Sequence, residues 1–362
     1  MRLIREPQFK TFIKSLQERS SANDKRGGIQ NIVGKIINDV RRNGDKAVKK
    51  YSEKYDSIKL RRLSIDREEI ESSAKKASKE LLSAIKISAK RIRAFHELQK
   101  EESWYFSEDN ILLGQIIKPI ERVGVYVPGG KASYPSTVLM NVIPAQVAGV
   151  KEIALCVPTA GGKINPSVAA AIKFLGLKEV YRIGGAQAIA AMAYGTKTIK
   201  KVDKIVGPGN IYVAAAKKMV FGDVGIDMIA GPSEVLIIAD ASANPSFIAA
   251  DLLSQAEHDE MASAVLITNS ESLAQKVNME IGARLKDLKR KDIAKKSLDK
   301  YGAVIITKDL NTAVDIANNI APEHLEIMTK VPARFLPKIK NAGAVFLGEW
   351  TPEPLGDYTA GP

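Results

Sequence analysis

The stretch VGVYVPGG, residues 123–130, gives the strongest indication of the fold. A run of β-branched and aromatic residues stops at a proline and two glycines, which is typical of a buried strand that leads into a turn. Small and helix-starting residues follow, namely Ser133, Pro135, Ser136 and Thr137. The stretch therefore predicts a strand, a tight loop and a helix in succession.

The same alternation continues along the rest of the chain. Alanine-rich stretches separate six further apolar runs: Ile153–Val157, Val180–Ile183, Lys204–Val206, Val235–Ala239, Ala264–Thr268 and Ala303–Thr307. Continuous apolar strands separated by helices indicate parallel sheets that are covered by helices on both faces. We therefore predict an α/β fold whose ligands bind beyond the carboxyl ends of its strands.

The net charge of +13 is concentrated in the first part of the chain. Residues 1–100 hold 26 Lys and Arg against 13 Asp and Glu, and the remaining residues hold 28 of each sign. The basic part is predicted to be mostly helical, with one helix starting near Asp66 and Glu69, and its charges are interleaved as on a solvated helix surface. A nucleic-acid partner for this part is the less favoured reading, because zinc-finger spacing, RNP-type motifs and arginine-rich tracts are absent from the sequence.

Composition narrows the remaining classes. A chain of 362 residues with 45% apolar content is expected to be globular, with two or more domains. The sequence has no apolar run of membrane-spanning length and no apolar signal near Met1, so we expect a cytoplasmic protein without a membrane partner. With a single cysteine, any metal would be held by nitrogen and oxygen atoms.

Three glycine-containing loops follow predicted strands. Besides residues 127–130, they are Ile183-Gly-Gly-Ala-Gln187 and Val206-Gly-Pro-Gly-Asn210. Glycines let the backbone approach a ligand, and the free N–H groups at a helix start favour a phosphate. Each loop alone is more typical of a plain tight turn than of a ligand site, but three in succession favour a phosphate-bearing cofactor. The G-x-G-x-x-G fingerprint is absent, so the spacing alone does not identify NAD.

The sequence has only three histidines, and they are the first candidates for catalytic or metal-binding residues. His258 follows Gln255 by three residues, which places two metal-ligand types on one face if the segment is helical; a solvated helix is an equal alternative. His324 follows Glu323 after a proline suited to a first helical turn, and the two residues could transfer protons. His96 is better explained by packing or surface exposure. Cys156 lies in an apolar run and is predicted to be a buried thiol.

Five segments, read together, resemble histidinol dehydrogenase. They are GPGN (207–210), AGPSEV (230–235), LLSQAEH (252–258), APEHLE (321–326) and GDY (356–358). These segments fall in the order of that family, and the likeness runs almost continuously from Val123 to the last residue. It extends more loosely to residues 94–97.

The resemblance implies a fold and an assembly. It implies two incomplete Rossmann-like α/β domains, one inserted in the other, and a helical N-terminal arm. We expect the arm at residues 1–22, a metal-binding catalytic domain at 23–125 and 235–362, and an inserted NAD-contacting domain at 126–234. It also implies a homodimer in which terminal segments cross between subunits.

The resemblance also implies a reaction. Histidinol dehydrogenases use zinc and NAD to oxidise L-histidinol through L-histidinal to L-histidine, the last step of histidine biosynthesis. Glu323 and His324 are the expected acid/base pair, and Ser233, Gln255, His258, His324 and Asp357 the expected substrate contacts. Gln255, His258 and Asp357 are the expected zinc ligands, and Tyr126, Gln187 and Asn210 the expected NAD contacts.

The family pattern continues past the GDY segment with an Asn-His segment and a tail that supply a further substrate histidine and the last zinc ligand. The printed sequence ends at Pro362. For the chain as printed we therefore expect three of the four zinc ligands. Two alternatives stay open at this point: a fragment of the enzyme, and a catalytically inactive binding or regulatory homologue.

Overall fold

The computed structural model describes residues 1–5, 8–24, 27–129, 134–229, 231–356 and 358. The chain divides into two compact units. The outer unit comprises Met1–Arg26 and Gly231–Gly356, and the inserted unit comprises Gly27–Ala230 and Tyr358. The outer unit is thus built from two separate pieces of chain.

The elements of the outer unit come from both of its pieces, and those of the inserted unit lie between them. The chain begins with β1 (Arg2–Ile4) and α1 (Phe9–Asp24). The inserted unit contains α2 (Gly27–Asp56), α3 (Arg67–Ala74), α4 (Lys79–Glu97), β2 (Trp104–Glu108), β3 (Ile111–Gln115), β4 (Arg122–Tyr126), α5 (Pro135–Val147), β5 (Glu152–Cys156), α6 (Pro166–Leu175), β6 (Glu179–Tyr181), α7 (Gly185–Tyr194), β7 (Lys204–Val206), α8 (Ile211–Val220) and β8 (Gly225–Ile226). The outer unit resumes with β9 (Glu234–Ala239), α9 (Pro245–Ala256), β10 (Ser263–Thr268), α10 (Glu271–Arg284), α11 (Lys291–Tyr301), β11 (Ala303–Ile306), α12 (Leu310–Ile320), β12 (His324–Met328), β13 (Ala344–Leu347) and α13 (Glu353–Leu355).

The outer unit is built on a six-stranded sheet in the order β1-β11-β10-β9-β12-β13. All of its strands are parallel, and His324 of β12 lies opposite Val235 of β9. Helices cover both faces, because each parallel connection must cross from one end of the sheet to the other. The central strands β9 and β10 are almost fully buried, as their continuous apolar sequences require.

The inserted unit has a five-stranded parallel sheet in the order β6-β5-β4-β7-β8. Helices α2, α7 and α8 pack together on one side, and α3, α4, α5 and α6 pack together on the other. A separate antiparallel hairpin, β2 with β3, exposes every one of its strand residues. None of the described helices is long and apolar enough to span a membrane.

The α/β fold predicted from the sequence is confirmed. Each of the seven predicted strands is present within two residues of its expected bounds, and the helix predicted near Asp66 begins at Arg67. The helical start predicted at Pro322 is wrong, because His324 begins β12 instead. From Leu325 onward the strand is buried between β9 and β13. A proline fits just before a strand because no ladder N–H is needed there.

The compact units differ from the expected domain boundaries. Residues 27–125 belong with the inserted unit, because α2 contributes Val33, Val40 and Val48 to one core with Ile189 of α7. The expected separate arm also differs, since β1 pairs with β11 and Phe12 of α1 lies in the outer unit's core. Amphipathic helices show which face is buried but not which sheet covers it.

Candidate functional site

A cavity of about 740 Å³ lies in the inserted unit, beyond the carboxyl ends of its strands. The structure brings all three expected NAD contacts to this cavity: Tyr126 ends β4, Gln187 lies in the first turn of α7, and Asn210 precedes α8. Its position is the one expected for a ligand of a parallel α/β sheet. Its volume lies within the range of small-molecule and cofactor sites.

Tyr126 and Asn210 are fixed by hydrogen bonds to the loops around them. The buried Tyr126 hydroxyl accepts a hydrogen bond from the Gly185 N–H at 3.0 Å, and burial raises its pKa to about 12. Asn210 caps α8, since its Oδ1 accepts from the N–H groups of Tyr212 and Val213. Gln187 is buried in α7. The phenol is therefore neutral near pH 7, and hydrogen bonds within the protein hold the side chains of Tyr126 and Asn210.

The glycines of these loops are required by packing. A Cβ on Gly129 or Gly184 would lie within 3 Å of the Pro158 ring. Gly207 has a φ of +113°, and a Cβ there would lie 2.1 Å from the carbonyl oxygen of Tyr126. Tight turns, which the sequence left open as the alternative for each loop, thus account for these glycines without a ligand.

An ion pair between a buried lysine and an exposed aspartate holds the third loop in place. Lys217 of α8 pairs with Asp227 and donates to the carbonyl oxygen of Gly207 at 3.0 Å. Asp227 in turn accepts from the Gly207 N–H at 2.8 Å. The N–H and the carbonyl oxygen of Gly207 are therefore both hydrogen-bonded to the same ion pair, which fixes the backbone that leads to Asn210.

Further polar residues line the cavity and were missed from the sequence, among them Asp56, Thr159 and Lys163. Burial raises the pKa of Asp56. The buried Thr159 hydroxyl has no hydrogen-bond partner among the described residues. Thr159 lies in the loop after β5, just as the glycine loops follow their strands, so its position in the sequence could have identified it. Asp56 ends a polar helix, and nothing in the sequence around it indicates a site.

The expected acid/base pair lies in the outer unit, at the amino end of β12. His324 Nδ1 lies 3.2 Å from the backbone oxygen of Glu234, and Glu323 Oε2 accepts from the Glu234 N–H at 3.2 Å. Because a carbonyl oxygen only accepts, the contact requires a proton on Nδ1, so Nε2 is the ring nitrogen that carries the lone pair in the neutral ring. The Nε2 atom lies 4.0 Å from Glu353 Oε1, and the imidazole ring packs near Phe346.

The expected substrate and metal residues are placed less completely. Ser233 directly precedes β9, beside the acid/base pair. Gln255 is buried in the last turn of α9, and the exposed His258 lies two residues past its end, so the shared helix face predicted for them is wrong. The chain turns after Ala256, and the His258 N–H bonds back to the Gln255 oxygen at 3.2 Å. Asp357 lies outside the described residues.

Among the described residues, no group of three or more His, Cys, Asp and Glu side chains is arranged to hold a metal. Gln255 and His258 still offer the oxygen and nitrogen donors that zinc accepts, and they lie on adjacent turns. They fit part of a zinc site, and the remaining expected ligand falls where the structure gives no description.

The edge of the sheet used in the outer unit differs from the prediction. We expected ligands beyond the carboxyl ends of the strands, but Ser233, Glu323 and His324 lie at the amino ends of β9 and β12. Helix α9 returns the chain from the carboxyl end of β9, so Gln255 is also at the amino edge. The two units therefore present their candidate residues at opposite edges of their own sheets.

A cluster of buried carboxyl groups adjoins His324 and was not predicted. Glu326 of β12 is fully buried and accepts from the Glu353 N–H at 2.8 Å. Burial first, and the charge of Asp251 next, raise the pKa of Glu326, and burial raises the pKa of Asp251. Both effects favour the neutral acid form of Glu326. Its position in an alternating strand sequence gave no sign of this.

Two residues have structural roles, as predicted. Cys156 is fully buried, and burial raises the pKa of its thiol well above its usual range. His96 lies in the last turn of α4, donates to Gln99 at 2.6 Å and packs edge-on against Phe95. Neither residue lines the cavity or contacts the acid/base pair.

A family model for histidinol dehydrogenase matches residues 18–362. The chain belongs to the histidinol dehydrogenase family. It is 50% identical over 363 residues to the histidinol dehydrogenase of Geobacter metallireducens, an alignment that covers 99% of this chain and 83% of the relative. It is 53% identical over 354 residues to that of Aquifex aeolicus, which covers 96% and 82% respectively.

Solved structures agree with the family assignment. The crystal structure of histidinol dehydrogenase from Elizabethkingia anophelis matches with a TM-score of 0.89 at 42% identity, covering 92% of this chain and 77% of that one. An acetylating aldehyde dehydrogenase from Geobacillus thermoglucosidasius matches at 13% identity with a TM-score of 0.50, covering 97% and 89%, which shows a likeness of fold alone. The predicted dehydrogenase family is confirmed, and the inactive homologue is not favoured.

Proposed function

We propose that the protein oxidises L-histidinol through L-histidinal to L-histidine, with NAD as the oxidant, in the last step of histidine biosynthesis. The observation that carries the proposal is the geometry of Glu323 and His324 on the backbone of Glu234. Family membership supports the same reaction. The residues below are assigned their roles on that basis.

His324 is the proposed base for the alcohol step. Its Nδ1–H is committed to the Glu234 carbonyl, so Nε2 is the atom available to take the hydroxyl proton of histidinol. The side chain is 16% exposed, which leaves the ring reachable but limits its motion. The nearby Glu353 carboxylate would stabilise the imidazolium that forms.

Glu323 is the proposed base for the aldehyde step. One of its oxygens accepts from the Glu234 N–H, and the side chain is 43% exposed and open to water. Hydration of the aldehyde gives a tetrahedral adduct with a hydride to lose, and Glu323 would remove the proton from the attacking water. A thiol adduct is disfavoured, because Cys156 is buried and protonated.

NAD and zinc complete the proposal. NAD would be held by Tyr126, Gln187 and Asn210 in the inserted unit and would accept the hydride of each oxidation. Zinc would be held by Gln255, His258 and Asp357 and would orient the nitrogen atoms of the substrate. Ser233, Gln255, His258, His324 and Asp357 are the proposed substrate contacts.

We further propose a cytoplasmic homodimer with terminal segments that cross between subunits. The hairpin of β2 and β3 supports an interface, since Trp104, Tyr105 and Leu112 are more than half exposed on it. A lone two-stranded hairpin is marginal in water, and exposed apolar patches mark interaction sites. Tyr105→Ser with Leu112→Ser should shift the protein toward monomer in light scattering; an unchanged dimer would remove the hairpin from the interface.

The function is tested by stoichiometry. Two oxidations at one site predict about two NADH formed per histidinol consumed, without free aldehyde in solution. Purified protein is supplied with zinc, NAD and L-histidinol, and a carbonyl reagent in the bulk solution traps any aldehyde released. A ratio near one with trapped aldehyde contradicts the two-step proposal, and absence of NADH contradicts the activity.

Zinc binding is tested separately. His258→Ala should lower the zinc retained after dialysis while leaving the NAD affinity near the wild-type value, because the NAD contacts lie in the other unit. His96→Ala is the matched control, since His96 has a packing role. Equal zinc in His258→Ala and in wild-type protein would show that other residues hold the metal.

A further inference from the structure

Arg19 of helix α1 is a buried cation in the outer unit. Its side chain is 1% exposed and pairs with the carboxylate of Glu234, the first residue of β9. It also donates to the Met261 carbonyl oxygen at 2.8 Å, and its guanidinium lies 5.3 Å from the centre of the Tyr301 ring. Burying a charge is costly unless it is well paired, so this arrangement fixes Arg19 and Glu234 in one geometry.

The backbone of Glu234 makes a hydrogen bond to each member of the acid/base pair. Its N–H donates to Glu323 and its carbonyl accepts from His324, both at 3.2 Å. A single residue thereby sets the direction of the Glu323 carboxylate and the tautomer of His324. Whatever holds Glu234 also holds these two side chains.

We propose that Arg19 and Glu234 form a positioning pair for Glu323 and His324, an inference that rests on the proposed function. The pair acts in two ways. It anchors the first residue of β9, and it neutralises the Glu234 carboxylate so that Glu323 does not face an unpaired carboxylate. The first part of the chain thus supports the chemistry without touching the substrate.

The charge balance around Glu234 supports the second role. Burial raises the pKa of Glu234, while the charge of Arg19 and its hydrogen bond act in the opposite direction. Glu323 adds a like charge next to Glu234. Without Arg19, two carboxylates would compete for one set of donors, and the side chain of Glu234 would move or take up a proton.

Four variants separate positioning from folding. Arg19→Met leaves the partly buried Glu234 carboxylate without its cation, Glu234→Gln leaves the buried Arg19 cation without its carboxylate, and the double variant leaves neither charge. Arg19→Lys keeps the charge but loses the planar fork that reaches both Glu234 and Met261. Arg5→Met is the control, because it removes an exposed ion pair with Glu271 in the same unit.

We expect kcat for histidinol to fall about 10–100-fold in Arg19→Met and Glu234→Gln, with KM changed less than kcat, as is typical when a supporting residue is lost. Arg19→Lys should recover part of kcat. The double variant should recover the thermal midpoint, because no unpaired charge remains, but should keep the loss in kcat. Arg5→Met should match wild type.

The second readout does not depend on activity. The ¹⁵N spectrum of His324, assigned by its loss in His324→Asn, should show a proton on Nδ1 in wild-type protein and a changed tautomer balance in the double variant. Wild-type kcat in the double variant, or an unchanged tautomer, would overturn the inference. If wild-type protein fails to reduce NAD with histidinol, the proposed function falls, and the spectrum still decides whether the pair orients His324.

Discussion

Replacing Gly207 with alanine should damage the cavity proposed to bind NAD by more than the cost of backbone strain alone. Gly207 has a φ of +113°, and an added Cβ would lie 2.1 Å from the Tyr126 carbonyl oxygen. The left-handed backbone conformation costs an alanine about 1–3 kcal/mol. Displacing the neighbouring backbone adds about 1–3 kcal/mol, as in other overpacked sites. We therefore expect the free energy of unfolding to fall by about 2–6 kcal/mol.

The displacement also reaches the cavity. Tyr126 and Asn210 flank Gly207 from two sides, so a shift of either loop should weaken NAD binding at least ten-fold, a change of about 1.4 kcal/mol. Urea unfolding measures the first effect, and titration of NAD by fluorescence or calorimetry measures the second. Both measurements should be made at the same temperature and salt concentration.

Gly222→Ala is the matched control. Gly222 has a similar φ of +104°, but an added Cβ there meets nothing within 4 Å. It should show the cost of strain alone and should bind NAD like wild type. If Gly207→Ala matches Gly222→Ala in both stability and NAD affinity, the collision with Tyr126 has no effect and the reasoning fails.

Three further outcomes follow from the outer unit and the core. Glu323→Gln should slow oxidation of added histidinal by about 10²–10⁴-fold and spare the alcohol step, whereas His324→Ala should impair the alcohol step at least as much; equal loss of both steps in Glu323→Gln would refute this division. Cys156→Ala should keep both oxidations and lose about 1 kcal/mol of stability, and loss of aldehyde oxidation in the folded variant would make the thiol a nucleophile. The pKa of Glu326 is raised in the folded protein above its ordinary 4.5. Above pH 4.5 the carboxyl group therefore loses its proton in the unfolded chain while the folded protein keeps it. The free energy of unfolding of the wild-type protein should then fall as the pH rises above 4.5. Glu326→Gln should flatten that fall in urea unfolding between about pH 5 and pH 8, and an equally steep fall would show that Glu326 is ionised in the folded protein.

The sequence predicted the parallel sheets well because buried parallel strands are continuous apolar runs. Val235–Ala239 and Ala264–Thr268 needed no tertiary information, since every position along them is buried. The β2 and β3 hairpin was missed for the opposite reason. Its residues are exposed on both faces, so no alternation of buried and exposed positions separates it from a loop.

The candidate site was predictable residue by residue only through the family resemblance. Local spacing placed Gln255 and His258 on one helix, but the helix ends at Ala256. Spacing also placed His324 in a first helical turn, but burial between two strands makes it the start of β12. The role of Arg19 could not be predicted from the sequence, because its partner Glu234 is 215 residues away and local sequence patterns do not indicate such long-range contacts.

The interrupted outer unit has a consequence for the order in which the protein folds. Strand β1 pairs with β11, and Arg2 lies opposite Ala303. The first strand of the outer sheet therefore cannot pair until the chain has been synthesised past Ala303. The inserted unit is nearly continuous, from Gly27 to Ala230, and its contacts close over shorter loops. During synthesis, we expect it to fold while the first piece of the outer unit is still unpaired. A ribosome stalled after about residue 270 should then carry a protease-resistant inserted unit and a cleavable Phe9–Asp24 segment.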